Sequence, residues 1–292
     1  MSRNFKTEDI GKLTIPEFTF DEMVDHPSIV MVAKRGSGKS WVARSILDHF
    51  SDIPVGLIIA PTDRMNCFYG HYFPPVFIHY EYKTKTIEDL LMRQKAVIKK
   101  KKDKALNGKY IDDRAFIIMD DCLGQKDAWI RDQPIQELLF NGRHYRVMYI
   151  LTMQTPLGIT PDLRNNFDYI ILLADDVISN LKKIHQHYAG IFPDFNIFRQ
   201  VFNELTADYG AMVLLNRGAR SNFVDKLRWY KAPNLTDKHV NYGCNQFRKY
   251  NKRNYNTDWE DKHMPFDIAE YCNKNKKDRC KVSLKKVGPL KS

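Results

Sequence analysis

The sequence predicts an α/β fold, a mostly parallel sheet flanked by helices. Short apolar runs alternate with patterns of helical period, which is how βαβ units read in sequence. The first run, Ser28-Ile29-Val30-Met31-Val32, is apolar at every position after Ser28, as a strand covered on both faces is. A glycine-rich turn stands between that run and the next helical pattern.

Taken in order, strands are expected at 29–32, 55–60, 76–79, 115–120, 147–153, 168–173 and 211–216. Trp41, Val42, Ile46, Leu47 and Phe50 recur at helical spacing and predict a helix over 39–50. A second helix is expected from near Thr86, where Asp89 makes an imperfect capping box. Ile87, Leu90, Leu91, Gln94, Val97 and Ile98 share its inner face, and four lysines at 99–102 close it, where cations complement the helix dipole. Pro134 suits a first helical position and Asn141-Gly142 a helix end. Two further apolar faces run through Val177, Leu181, Ile184 and Tyr188, and through Phe195, Phe198, Val201, Phe202 and Leu205. After about residue 231 the periodicity fades. The expected organisation is a lead-in at 1–27, a core at 28–225 and a basic C-terminal segment at 226–292, disordered in part at its end.

Composition narrows the class. The chain has 292 residues, 43% of them hydrophobic, enough for a sizeable core. Five cysteines, odd in number and unevenly spaced, suit a reducing compartment better than a disulfide framework. Cys272 and Cys280 with His263 lack the tight pairing of a zinc site. No signal peptide and no apolar run of membrane-spanning length is present, so an intracellular protein without a membrane span is expected. The net charge of +11 is uneven: residues 226–292 hold 17 Lys/Arg against 7 Asp/Glu, whereas residues 1–225 are nearly neutral. That asymmetry points to a polyanionic partner, nucleic acid first. Between Arg93 and Lys104 stand seven positive charges against Asp103, either a solvated helix end or a phosphate contact.

The glycine turn carries chemistry. Ala33-Lys34-Arg35-Gly36-Ser37-Gly38-Lys39-Ser40 is a phosphate-binding loop with Ala in first position. Its glycines let the backbone wrap a polyphosphate; Lys39 is expected on the β- and γ-phosphates and the Ser40 hydroxyl on Mg²⁺. The helix that follows, from Lys39 through Trp41, points its positive end at the anion. Arg35 to Trp41 are therefore the expected nucleotide-binding residues. Further on, Phe116-Ile117-Ile118-Met119-Asp120-Asp121 is a buried strand ending in two acids, the Walker B arrangement. Asp120 is expected to hold the Mg²⁺ and Asp121 to orient and deprotonate an attacking water. Gln154 ends the strand at 147–153 and is expected to sense the γ-phosphate or the water, because ligands lie beyond the carboxyl ends of parallel strands. Arg143, Arg164 and Arg35 are candidates for an arginine finger, with Arg143 favoured.

These residues resemble the FtsK–HerA group of P-loop ATPases, and more narrowly the poxvirus-type genome-packaging ATPases of nucleocytoplasmic large DNA viruses. The loop at 33–40, the doubled acid Asp120-Asp121, the turn Asn141-Gly142-Arg143-His144 and Thr152-Met153-Gln154 carry the resemblance, over roughly residues 28–216. It implies a RecA-like core with the strand ending at Gln154 lying between the other two motif strands. It implies a homo-oligomeric ring around double-stranded DNA, one subunit's arginine in its neighbour's site, and ATP-driven movement of DNA into a preformed capsid through a capsid or portal component. It also implies residence in the host cytoplasm at viral assembly sites, or association with the virion. Two alternatives remain at this level. A P-loop kinase would need an arginine-bearing lid, which is not evident, and the acid pair suits water as acceptor. A non-catalytic nucleotide-binding scaffold is opposed by the intact Lys39, Ser40 and Asp120-Asp121.

Overall fold

The computed structural model describes residues 13–218, 223–238 and 240–256. Eight strands form one sheet: β1 (Ser28–Val32), β2 (Gly56–Ile59), β3 (Ile78–His79), β4 (Ala115–Asp120), β5 (Val147–Met153), β6 (Tyr169–Leu173), β7 (Gly210–Leu215) and β8 (Leu227–Lys231). Their order is β3-β2-β4-β5-β1-β6-β7-β8. All neighbours from β3 to β6 pair in parallel; β7 and β8 are antiparallel to their neighbours. β5 lies between β4 and β1, the order that the resemblance implies. The described helices are α1 (Lys39–His49), α2 (Asp63–Asn66), α3 (Thr84–Ala105), α4 (Lys126–Trp129), α5 (Gln133–Asn141), α6 (Pro161–Arg164), α7 (Ile178–His187), α8 (Phe195–Leu205) and α9 (Asn245–Asn254).

The apolar runs are apolar throughout because each strand feeds two cores. Val30 and Val32 of β1, Ile117 and Met119 of β4, and Tyr149 and Leu151 of β5 face one side, with α3, α5, α7 and α8. Ile29, Met31, Phe116, Ile118, Met148 and Ile150 face the other, with Val42, Ala43, Ile46 and Leu47 of α1. Each fully buried Ile, Leu or Val side chain contributes about 1.5–3 kcal/mol relative to exposure. Two-sided burial is what sets the central strands in place, and with them the chain segments that leave their carboxyl ends.

Three expectations need correction. Residues 76 and 77 are not strand: Pro75–Phe77 is a 3₁₀ turn, because consecutive prolines at 74 and 75 offer no N–H to a ladder. The second long helix starts at Thr84, where the Thr84 hydroxyl donates to Asp132 Oδ2 at 2.6 Å. The core does not end at 225: β8 pairs with β7 along its whole length. The lead-in joins it there, with Phe18 N–H donating to the Trp229 carbonyl at 2.7 Å and Trp229 N–H to that of Pro16 at 3.1 Å. Through Arg253 the described residues form one compact unit. Tyr242 of the C-terminal segment donates its hydroxyl to buried Asp48 on α1, and Arg44 on the same helix donates to the Leu235 carbonyl at 2.7 Å. Those contacts make the segment up to α9 part of the core. The expectation of disorder near its end, and the Cys272, Cys280 and His263 reading, fall outside the described residues. No described helix is long and apolar enough to cross a membrane.

Candidate active site

At the end of β1 the ladder continues one residue further, with Ala33 N–H donating to the Met153 carbonyl at 3.0 Å. The chain then turns through Gly36 at φ 79° and Gly38 at φ 95°, left-handed conformations that only glycine adopts at little cost. The Ser37 hydroxyl closes the turn on the Lys34 carbonyl at 2.7 Å. Lys34 pairs with Asp176 at 2.5 Å, beyond β6 on the far flank of the loop. Gly38 caps α1, so the unpaired N–H groups of an 11-residue helix open toward the carboxyl ends of the strands.

The acid pair arrives from the other side. Asp120 ends β4 directly opposite Thr152 of β5. The Thr152 hydroxyl, fully buried, donates to Asp120 Oδ1 and accepts the Asp121 N–H at 3.1 Å. Asp121 sits at φ 56°, a left-handed conformation that Asp tolerates better than most residues. This one-residue reversal ends the strand and leaves the Asp121 carboxylate on the same cavity as that of Asp120. Gln154 donates its amide to Asp121 Oδ2 at 2.5 Å. Lys39 Nζ lies 3.6 Å from Asp120 Oδ1 and 3.9 Å from Asp121 Oδ1, and the Ser40 hydroxyl donates to Asp120 Oδ2 at 3.3 Å. A buried carboxylate such as Asp120 persists only with partners of this kind.

The glycine turn and the acid pair line one cavity of about 360 Å³. Arg35, Gly36, Gly38, Lys39, Ser40 and Trp41 face it, as do Asp120, Asp121 and Gln154. Ser37 instead faces a second hollow on the outer flank of the loop. Trp41 packs edge-on against Phe68 with ring centres 5.9 Å apart, and the Arg44 guanidinium lies 5.6 Å from the Trp41 ring. Hard oxygen donors at Ser40 and Asp120 fit a magnesium ion, which takes one or two protein oxygens and fills its shell with water and phosphate.

Two arginine candidates lie elsewhere. Arg143 follows α5 and precedes β5, at the amino ends of the strands, where it is 61% exposed and 3.9 Å from Asp168. The seven residues of β5 put roughly 20 Å between it and Gln154. The topology places Arg143 at the opposite end of the sheet from its own subunit's cavity, so of the two positions open to it, own site or neighbour's, its own is out of reach. Arg164 is buried, its guanidinium 5.5 Å from the Tyr188 ring, and serves packing.

Sequence reasoning passed over Asp63 and Tyr69. Asp63 stands just beyond the carboxyl end of β2, the place where parallel sheets present ligand groups. It is buried, accepts the Tyr69 N–H at 2.7 Å and the Gly70 N–H at 3.2 Å, and lines the cavity. Burial raises its pKa, and the two amide donors work against that rise. Tyr69 is 1% exposed, and its phenol lies close enough to Asp120 to feel that carboxylate. Burial first, and the Asp120 charge second, keep that phenol neutral. The end of β2 was the available signal for both.

The chain is similar to known viral proteins. The family model described as Poxvirus A32 protein matches residues 16–199. An uncharacterized protein of Acanthamoeba polyphaga mimivirus is 48% identical over 249 residues, covering 85% of this chain and 87% of its own length. Another, of Invertebrate iridescent virus 6, is 34% identical over 234 residues, covering 78% and 86%. Among solved structures, the genome packaging NTPase B204 from Sulfolobus turreted icosahedral virus 2, in complex with AMPPCP, has a TM-score of 0.50 at 14% identity, over 72% of this chain and 100% of that one. The pCW3 conjugation coupling protein TcpA, in monomer form with ATPγS, has a TM-score of 0.52 at 14% identity, over 80% and 70%. These two share the fold. The match over 16–199, together with close viral relatives along most of their length, shows that the chain belongs to the poxvirus A32 protein family.

Proposed function

We propose that this chain is a magnesium-dependent ATPase that works as a homo-oligomeric ring and drives double-stranded DNA into a viral capsid during virion assembly. The observation that carries the catalytic part is the convergence of Lys39, Ser40, Asp120 and Asp121 on one cavity. Membership of a poxvirus family and a fold shared with a viral genome packaging NTPase support the packaging part. The basic C-terminal segment supports a polyanionic partner.

Phosphoryl transfer to water needs positioning and charge neutralisation more than covalent help. The α1 N-terminus and the loop amides hold the polyphosphate, with Lys39 at the transferred end. Ser40 and Asp120 would hold the magnesium ion, which neutralises charge on the phosphates. Asp121 accepts the proton of the attacking water, and the Gln154 amide fixes the orientation of that carboxylate. Thr152 locks both acids in register. Arg143 acts across a subunit boundary, in the neighbour's cavity. The acid pair favours water over the acceptor hydroxyl of a kinase. The site of action is the cytoplasm of the infected cell, where virions assemble.

Purified protein is expected to hydrolyse ATP, to require Mg²⁺, and to turn over faster with duplex DNA present. Lys39→Ala should lower turnover by about 10²–10³-fold. Full activity in that variant would overturn the assignment of the site.

A further inference from the structure

We propose that the groove between the C-terminal half of α3 and the end of α5 binds the phosphate backbone of duplex DNA, an inference that rests on the packaging reading above. The groove has a volume of about 470 Å³. Lys95, Lys99 and Lys102 line one wall at i, i+4 and i+7, a single face of the helix, and His144 lines the other. All three lysines are exposed, and Glu137 is the one carboxylate on the lining. Its charge is engaged locally: Glu137 accepts the Tyr145 hydroxyl at 2.7 Å, which holds its pKa below the usual carboxylate range.

Helix-dipole complementation accounts for Lys102, in the last turn, but not for the other two. That effect fades beyond the last turn, and Lys95 and Lys99 lie further in. Ion pairs account for none of the three: no carboxylate stands within 4.0 Å of any of them among the described residues, whereas Lys101 on the neighbouring face pairs with Asp113 at 2.6 Å. The wall is rigid. Gln94, fully buried, donates its amide to the Asp113 and Tyr145 carbonyls at 2.8 and 2.7 Å and bolts α3 to the base of the sheet.

Spacing also suits DNA. From Lys95 to Lys102 the helix rises roughly 10 Å, which matches about three phosphates of one strand along a duplex axis. Arg143 does not compete for the groove, because its guanidinium lies toward Asp168, below β6.

The test is the salt dependence of affinity for a short fluorescent DNA duplex. Each lysine that neutralises a phosphate contributes about 0.9 to the slope of log K against log salt. The double variant Lys99→Gln/Lys102→Gln should lower the slope by about two. ATP turnover without DNA should stay at the wild-type level. Lys99→Arg/Lys102→Arg, which keeps the charge, should keep the slope. Lys182→Gln/Lys183→Gln on α7 removes equal charge elsewhere and should leave the slope unchanged. An unchanged slope in the groove variant, an equal fall in the α7 control, or loss of an acidic protein partner with DNA affinity intact would each overturn the proposal. Wild-type protein that neither binds duplex nor hydrolyses ATP would overturn the packaging reading itself, a result separable from the variants.

Discussion

At the carboxyl ends of β1, β4 and β5 the charged side chains converge on one cavity; at the amino ends, beside the separate ion pairs of Asp112 and Asp113, Arg143 and the lysines of α3 reach outward. Above, Lys39 stands between Asp120 and Asp121, Thr152 and Ser40 bond to Asp120, and Gln154 holds Asp121. Below, Arg143 is largely exposed, and the lysines of α3 line an open groove. The contrast follows from the fold. Parallel strands send the chain off in loops that converge at one end, so short-range chemistry is assembled there. The other end meets the backs of the same crossovers. On the reading proposed above, one sheet serves a reaction at one end and macromolecular contact at the other.

The sharpest way to break this division is Arg143. If the amino end works on a neighbouring subunit, Arg143→Ala should lower turnover of the assembled protein by about 10³–10⁵-fold. Mixing it with Lys39→Ala protein should then restore part of the activity, since one variant supplies an intact cavity and the other an intact arginine. A mixture as inactive as its components would remove Arg143 from catalysis.

Asp121→Asn tests the carboxyl end. The amide keeps the size of the side chain but cannot take a proton from water. Turnover should fall by about 10²–10⁴-fold while nucleotide affinity is retained, measured by binding of a fluorescent ATP analogue alongside phosphate release. Equal loss of binding would reassign Asp121 to holding nucleotide.

A smaller effect compares one histidine from each end. His79, at the carboxyl end of β3, and His26, just before β1, both have pKa values lowered mainly by burial, with Lys83 adding to the effect at His79 and Arg146 at His26. The native state therefore binds fewer protons than the unfolded chain. The stability these groups contribute is fully present above the ordinary histidine pKa of about 6.5 and is lost as pH falls from there through their lowered native values. Urea midpoints should decline between about pH 7 and about pH 5.5, and His79→Asn or His26→Asn should each flatten the decline. Parallel pH profiles in wild type and both variants would assign the acid sensitivity to other groups.

Much of this was legible beforehand. All seven expected strands exist, because two-sided burial writes itself into sequence as unbroken apolar runs. The packaging-ATPase resemblance is borne out by the family match. β8 was not legible: Leu227-Arg228-Trp229-Tyr230-Lys231 is a sheet-edge strand with charges at half-buried Arg228 and exposed Lys231, and the same charges read as the onset of a basic segment. Thr152 looked like a polar strand end; only its register opposite Asp120 makes it the clamp on both acids. Asp63 and Tyr69 carry no motif, and their place on the cavity depends on β2 lying beside β4.

From sequence alone came the chemistry available: a glycine turn able to wrap phosphate, a lysine and a serine at fixed offsets from it, two acids after a buried strand, and a surplus of positive charge. These are local facts, set by covalent spacing and by the conformations that glycine permits. Which groups meet was a matter for tertiary structure. Strand order brings β5 between the two motif strands and sets Gln154 on Asp121, and the polarity of the same strand carries Arg143 to the far end. Register and strand direction are collective properties of a sheet, fixed by burial on both faces at once, and no window of residues contains them.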